Sequence, residues 1–360
     1  MGGVPSLYVS SLSGFSGKTA LCLGLALRFR KEGYRVGYFK PIGLEMTRVG
    51  DKVVDEDALL MKTVLNINLP LEAVAHVTLP KLFLEKFMAQ EPVTSLGSVK
   101  AAYREASRDR DFMIIESARK PSHGAAIDLP VPALARELGS KTLIVSRFDE
   151  DTAVDEVLSC EEWFRKKGAP CVGAVFNNVP ISSLERVRTI AASFLEKRGV
   201  KVLGVIPYNI ALTAPSAAEV YESLGGEVLA CERNMGKLIE AFMVGAMTPE
   251  SALSYFRRAL NKAVVTGGDR SDIALAALET STSMLILTGN LYPNITVLAR
   301  AEERGVPVLL VPYDTYTTVE KLAHITGRIK PDDVKEIDLA LKTVEDYVDW
   351  QRILKAVIER

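Results

Sequence analysis

Ser10-Ser11-Leu12-Ser13-Gly14-Phe15-Ser16-Gly17-Lys18-Thr19 joins an apolar run, Leu7–Ser10, to a helical pattern, Thr19–Lys31. A strand, a loop of small residues and a helix, in that order, make a phosphate-binding loop, because loop N–H groups and the positive helix N-terminus converge on an anion. Lys18 reaches the outer phosphates and the Thr19 hydroxyl is placed to hold Mg²⁺. The strict motif has Gly where Leu12 stands, so the match lies in the Gly17-Lys18-Thr19 end and in the flanking strand and helix. Ser13, Gly14, Ser16, Gly17, Lys18 and Thr19 are therefore the candidate nucleotide-binding residues, against the bland alternative of a chance Gly-Lys-Thr at a helix start.

Outward from this loop, short apolar runs alternate with helical patterns, as in a parallel sheet covered by helices on both faces. The expected strands are Leu7–Ser10, Arg35–Phe39, Phe112–Ile115, Thr142–Val145, Val172–Phe176 and Val202–Val205. They make one doubly wound α/β domain, residues 1–214, closing on a turn-rich connector at Asn209–Pro215. A second, smaller α/β domain, residues 215–330, follows, with strands at Ala263–Thr266, Met284–Leu287 and Val308–Val311. After Pro331, apolar residues at Val334, Ile337, Leu341, Val344 and Val348 alternate in steps of three and four, predicting an amphipathic helix within residues 331–360.

Composition narrows the partners. Lys plus Arg total 44 against 45 for Asp plus Glu in 360 residues, so no basic excess points to nucleic acid or to an anionic membrane. No leader pattern and no long apolar span is evident, and a cytoplasmic protein is expected. Cys22, Cys160, Cys171 and Cys231 form no CxxC pair, as expected of buried thiols in a reducing compartment. His76, His123 and His324 show no metal spacing.

Four further residues stand where chemistry would be done. Lys40 closes an apolar strand, at the sheet edge where doubly wound folds place ligands. Asp57 precedes an Ala-Leu pair and suits either a helix cap or a hard metal ion. Glu116 ends the run Phe112-Met113-Ile114-Ile115, where a buried carboxylate needs a partner such as Mg²⁺. Asn177, before Asn178-Val179-Pro180, offers the donor and acceptor that suit an adenine edge, or an ordinary turn.

In chain order these positions resemble the dethiobiotin synthetase family of ATP-dependent enzymes. The resemblance implies ATP and Mg²⁺ as cofactors, Asp57 and Glu116 with Thr19 on the metal, Asn177 on the base, and Lys40-Pro41 supporting a carboxylate substrate and phosphate. Two departures weaken the original chemistry: Ser117-Ala118-Arg119-Lys120 replaces the family's Gly-rich continuation, and Ile42-Gly43 lacks its serine. Nucleotide binding is expected to survive these changes better than dethiobiotin synthesis.

Thr266-Gly267-Gly268-Asp269-Arg270-Ser271-Asp272 is a flexible, charged loop between strand and helix, suited to a polar ligand or a subunit contact, with plain turn chemistry as the alternative. It resembles the signature of the DRTGG domain. Both modules together resemble the phosphotransacetylase family proteins, namely the dethiobiotin-synthetase-like plus DRTGG portion without the transferase. The transferase requires a large further domain, so acetyl transfer is not expected of these residues. The expectation is a homo-oligomeric Mg·ATP-binding sensor with a regulatory second domain and room for a second small-molecule ligand. The alternative is an ATP-dependent ligase activating a small carboxylate, with Lys18 and Lys40 stabilising transferred charge.

Overall fold

The computed structural model describes residues 3–44, 46–49, 52–78, 83–88, 94–323 and 325–359. The chain divides into two compact units, Met1–Asn209 with Ile329–Arg360, and Ile210–Arg328. Among the described residues, no helix is long and apolar enough to cross a membrane.

The first unit carries β1 (Ser6–Ser11), β2 (Val36–Gly43), the hairpin β3 (Met46–Val49) and β4 (Lys52–Asp55), then β5 (Ala75–Thr78), β6 (Phe112–Glu116), β7 (Lys141–Arg147), β8 (Cys171–Val179) and β9 (Val202–Pro207). Seven of these form one sheet in the order β5-β2-β6-β1-β7-β8-β9, with every pairing parallel. The six strands read from sequence are all present, and the short β5 adds a seventh. β1, β2 and β6 are buried along their whole length, as strands covered on both faces must be. Side chains alternate between the two cores: Tyr8, Phe39 and Ile115 point to one, Leu7, Val9, Tyr38 and Ile114 to the other. On the second face lies α1 (Lys18–Lys31), whose Phe29 meets Phe112 edge to face at 4.9 Å.

The C-terminal segment belongs to this unit, and it forms two helices where one was expected, Val334–Tyr347 and Trp350–Ile358. The break has a local cause. Val348 makes an antiparallel bridge to Gly204, and the Asp349 N–H donates to the Leu203 carbonyl at 2.7 Å, so the chain turns to cover part of the open edge of β9. The Asp349 carboxylate then accepts from the Arg352 N–H at 3.0 Å and caps the second helix.

The second unit holds β10 (Glu227–Ala230), β11 (Ala241–Val244), β12 (Lys262–Gly267), β13 (Thr282–Thr288) and β14 (Val308–Leu310), in the order β10-β14-β13-β12-β11. Only β10 runs antiparallel to its neighbour. β12, β13 and β14 fall on the three expected strands, and two short outer strands flank them. Each face of this sheet has its own apolar core, one centred on Phe256, Ile273 and Leu285, the other on Val220, Ile286 and Leu309.

Helix Val334–Tyr347 approaches α1 closely at Gly24. A Cβ there would lie 2.5 Å from both the Ala340 carbonyl oxygen and Val344 Cγ2. Leucine would recover about 1 kcal/mol of helix propensity, but its side chain has no space between the helices. Gly24→Leu is therefore expected to lower the stability of this unit by about 2 kcal/mol or more, read from urea unfolding; an unchanged midpoint would contradict the packing described.

Candidate functional site

The loop Leu12–Gly17 leaves β1 held by the Leu12 N–H, which donates to the Val145 carbonyl at 3.1 Å. Gly17 closes it with φ +75°, and a Cβ at this position would collide with the Asn177 amide. Glycine is required on both counts. Asn177 reaches in from β8 and donates through Nδ2 to the Ser16 carbonyl at 2.8 Å. Its amide donor thus braces the loop backbone. Ser16 Oγ is buried without a hydrogen-bond partner.

α1 begins at Lys18, only 9 % exposed, and its first turn presents Thr19. The Thr19 hydroxyl lies 2.8 Å from Glu116 Oε1 and 3.1 Å from Asp57 Oδ1. Glu116 stands at the tip of β6, and Asp57 in the first turn of α2 (Glu56–Val64). Two residues that the sequence reading passed over complete the cluster. Tyr38 donates its hydroxyl to Glu116 Oε2 at 2.8 Å, and Asp55 accepts from Lys40 Nζ at 2.9 Å. Lys40 also donates to Asp57.

The helix cap falls to Asp55 and not to Asp57. It is Asp55 that caps α2, accepting from the Ala58 N–H at 3.1 Å, so the Asp57 carboxylate is left to face Thr19 and Lys40. Tyr38 had a sequence signal: it lies two positions before Lys40 and shares its face of the strand. Asp55 had none, because Asp55 and Asp57 are equally plausible as caps.

The electrostatics follow from burial. Three carboxylates, Asp55, Asp57 and Glu116, face two ammonium groups, Lys18 and Lys40, in a nearly dry site. Burial, and then the Asp57 charge, push Glu116 up to about 7. Burial lowers Lys18, against the pull of Glu116 and Asp57. For Lys40 the desolvation cost is outweighed by Asp57 and Asp55, which hold its proton firmly. Asp57 stays below the usual carboxylate range, since Lys40 overcomes its desolvation, whereas desolvation wins at Asp55 and raises it.

One hydroxyl proton at Thr19 cannot serve two carboxylates at once. The cluster therefore presents more oxygen acceptors than protons, a donor set of hydroxyl and carboxylate oxygens that suits a hard divalent cation. Among the described residues no group of three or more His, Cys, Asp or Glu is arranged to hold a metal. Mg²⁺ bound by one or two carboxylates and by phosphate needs no such group. The structure thus brings Lys18, Thr19, Lys40, Asp57 and Glu116 together and sets Asn177 against the loop. His324 lies outside the described residues. Cys22, Cys160, Cys171 and Cys231 are free, with burial raising each thiol.

In the second unit, the loop after β12 is cross-braced. Thr266 Oγ1 donates to the Gly245 carbonyl at 3.1 Å, and Arg270 Nη2 to the Met247 carbonyl at 3.0 Å and to Asp272. A Cβ on Gly268 would overlap the Leu291 carbonyl. Gly267 and Asp269 complete a turn that links the carboxyl ends of three neighbouring strands.

A phosphate loop on a parallel sheet, with a carboxylate at the tip of the adjacent strand, defines a protein of the P-loop nucleotide-binding class. The chain belongs to the AAA domain family, which residues 5–216 match; residues 219–325 match the DRTGG domain, and together they make this a phosphotransacetylase-family arrangement. The phosphate acetyltransferase of Nitratidesulfovibrio vulgaris is 26 % identical over 371 residues, covering 99 % of this chain and 52 % of the relative. That of Pseudomonas putida is 26 % identical over 359 residues, covering 92 % and 49 %. The chain spans about half the length of these curated relatives. The regulatory CBS and DRTGG domains of Clostridium perfringens pyrophosphatase, complexed with diadenosine tetraphosphate, superpose with TM-score 0.29 and 19 % identity over 44 % of this chain and 81 % of theirs. A likeness that loose carries no argument about function.

The Glu116 shift gives a pH signature. Its folded value, about 7, exceeds its ordinary 4.5, so its contribution to stability is full below about 4.5 and is lost as pH rises through about 7. With chelator present, Glu116→Gln should melt close to the wild type at pH 5 and above it at pH 8. A gap that narrows from pH 5 to pH 8 would contradict the buried, charge-crowded carboxylate.

Proposed function

We propose that the first unit binds Mg·ATP and that the DRTGG unit reads its occupancy, making the protein a nucleotide-responsive regulator. The observation that carries this reading is the Thr19 hydroxyl between Asp57 and Glu116, beside buried Lys18. Loop N–H groups from Ser13 to Thr19 hold the phosphates, and Lys18 offsets their charge. Thr19, Asp57 and Glu116 are the residues that would hold Mg²⁺, which when bound supplies positive charge between the carboxylates and the phosphates. Asn177 keeps the loop in shape through Ser16, leaving its side-chain oxygen as the atom for a base.

The ligase reading asks Lys40 to support a substrate carboxylate. Lys40 is 2 % exposed and engaged by Asp55 and Asp57, so its contribution here is to hold Asp57 ionised and in place. That favours regulation over carboxylate activation. In the second unit, the braced Thr266–Asp272 loop is the proposed ligand or subunit interface.

Titration calorimetry tests both halves. Wild type should bind ATP in the presence of Mg²⁺, and Lys18→Ala should weaken binding by roughly tenfold or more, the loss of a charged hydrogen-bonding partner. Asp269→Ala should shift nucleotide affinity without touching the phosphate loop if the units are thermodynamically linked. Equal affinity in wild type and Lys18→Ala removes the phosphate-loop assignment, and an Asp269→Ala titration identical to wild type removes the sensor.

A further inference from the structure

At the amino edge of the second unit's sheet, the edge opposite the Thr266–Asp272 loop, lies a cavity of about 450 Å³. Strands β11, β12, β13 and β14 run parallel, so the segments leading into them meet along this edge. Each segment contributes to the lining: Lys237 and Glu240 before β11, Asn261 before β12, Thr280 and Ser281 before β13, and Arg304 before β14. The volume lies within the roughly 300–1,000 Å³ usual for small-molecule sites.

The register of the sheet breaks at the same place. Thr282 pairs with Lys262 and Met284 with Ala263, which leaves Ser283 as the extra residue of a β-bulge at the start of β13. Such an insertion is rare between parallel strands, and it re-aims the side chain that it carries. Ser283 is 4 % exposed and lines the cavity. The neighbouring hydroxyls have spent their protons: Thr280 and Thr282 both donate to the Ala277 carbonyl, at 2.8 and 2.7 Å, and Ser281 donates to Asn261 Oδ1 at 3.4 Å. Among the described residues, the Ser283 hydroxyl makes no hydrogen bond. A hydroxyl so placed takes its acceptor from the cavity, either water or a ligand oxygen.

The charge around the cavity is positive. Lys237 is in no ion pair among the described residues, and Arg304 reaches Glu279 at 3.4 Å, a carboxylate that Arg300 already holds at 2.6 Å. Behind the wall, Lys262 is fully buried and donates to the carbonyls of Ala259 and Ser281 at 3.2 and 2.7 Å. It meets no carboxylate among the described residues, and burial pulls its ammonium down to about 8. Glu240 is the carboxylate of the lining, and it accepts from Asn261 Nδ2 at 2.8 Å. The positive charges thus exceed the negative ones, and an anion arriving here gains from the difference. Leu278 and Val306 give the lining an apolar side.

We infer that this cavity binds a small organic anion, a carboxylate or phosphate group carrying a short apolar substituent, with Lys237 and Arg304 meeting its charge and Ser283 donating to one oxygen. An ammonium, a guanidinium and a hydroxyl whose proton is free form a donor set matched to an oxyanion. The inference goes beyond the Mg·ATP reading of the first unit and does not depend on it.

The test is titration calorimetry of the full chain with phenyl phosphate and with phenylacetate, on wild type, Lys18→Ala, Lys237→Gln, Arg304→Gln and Ser283→Ala. Lys237 is half-buried and Arg304 exposed, so their variants should melt near the wild type, and a melt on each variant confirms a folded sample. Wild type should bind at least one probe, and the one it prefers tells phosphate from carboxylate. A binding event should persist in Lys18→Ala, where the phosphate loop is disabled. Lys237→Gln and Arg304→Gln should each weaken that event about tenfold or more, and Ser283→Ala about threefold or more. Wild type that binds neither probe would overturn the inference, as would binding that disappears in Lys18→Ala. Losses in the two charge variants with none in Ser283→Ala would also overturn it, because that pattern is diffuse attraction of a counter-ion.

Discussion

Three carboxylates share a nearly dry site with two lysines, and much of the first unit is arranged to make that tolerable. Taking an ionised carboxylate out of water is costly unless hydrogen bonds and opposite charges replace the lost solvation. Lys40 answers two of the three, Asp55 and Asp57, while Glu116 has Tyr38 and a share of the Thr19 proton. The sheet order makes this convergence possible. With β2, β6 and β1 side by side, Lys40, Glu116 and the phosphate loop all emerge at one carboxyl edge, where open α/β sheets place their ligands.

Burial, and then the Asp57 charge, raise the Glu116 carboxyl, because Lys40 and Lys18 do not fully offset them. Under the proposed function, a divalent cation arriving with a phosphate chain would add positive charge there, and a ligand that binds only the folded state stabilises that state by mass action. The same unit takes up the segment that follows the DRTGG domain in the chain. Helix Val334–Tyr347 packs along α1, the helix that starts at Lys18, with Gly24 allowing the close approach. The helix that begins at Lys18 is thus also the one against which helix Val334–Tyr347 is docked.

Much of this was legible in the sequence, for reasons that differ by residue. Lys18, Thr19 and Glu116 could be read because a strand followed by a small-residue loop and a helix, or by a lone acid, admits few other uses. The central strands could be read because burial on both faces leaves continuous apolar runs. The four-residue strands β5, β10 and β11 could not, since runs that short match no period longer than a turn. Asp55 was hidden by its resemblance to Asp57, and the second terminal helix by the apolar Val348, which continued the helical spacing while its backbone turned to bridge Gly204. Arg119 read as a departure from a glycine-rich pattern; its place 5.5 Å from the centre of the Phe15 ring depends on the pairing of β6 with β1, a contact between residues more than 100 positions apart.

The central claim is that Thr19, Asp57 and Glu116 form one cation site at the phosphate loop. A crystal structure of the protein with Mn²⁺ in place of Mg²⁺ and the β,γ-imido analogue of ATP, with the metal located by its anomalous signal, tests it most directly. The expected result is a single metal peak touching Thr19 Oγ1 and the carboxylates of Asp57 and Glu116, directly or through one water, with phosphate oxygens completing its shell. A metal bound elsewhere, or a nucleotide whose phosphates avoid the Ser13–Thr19 loop, would contradict it.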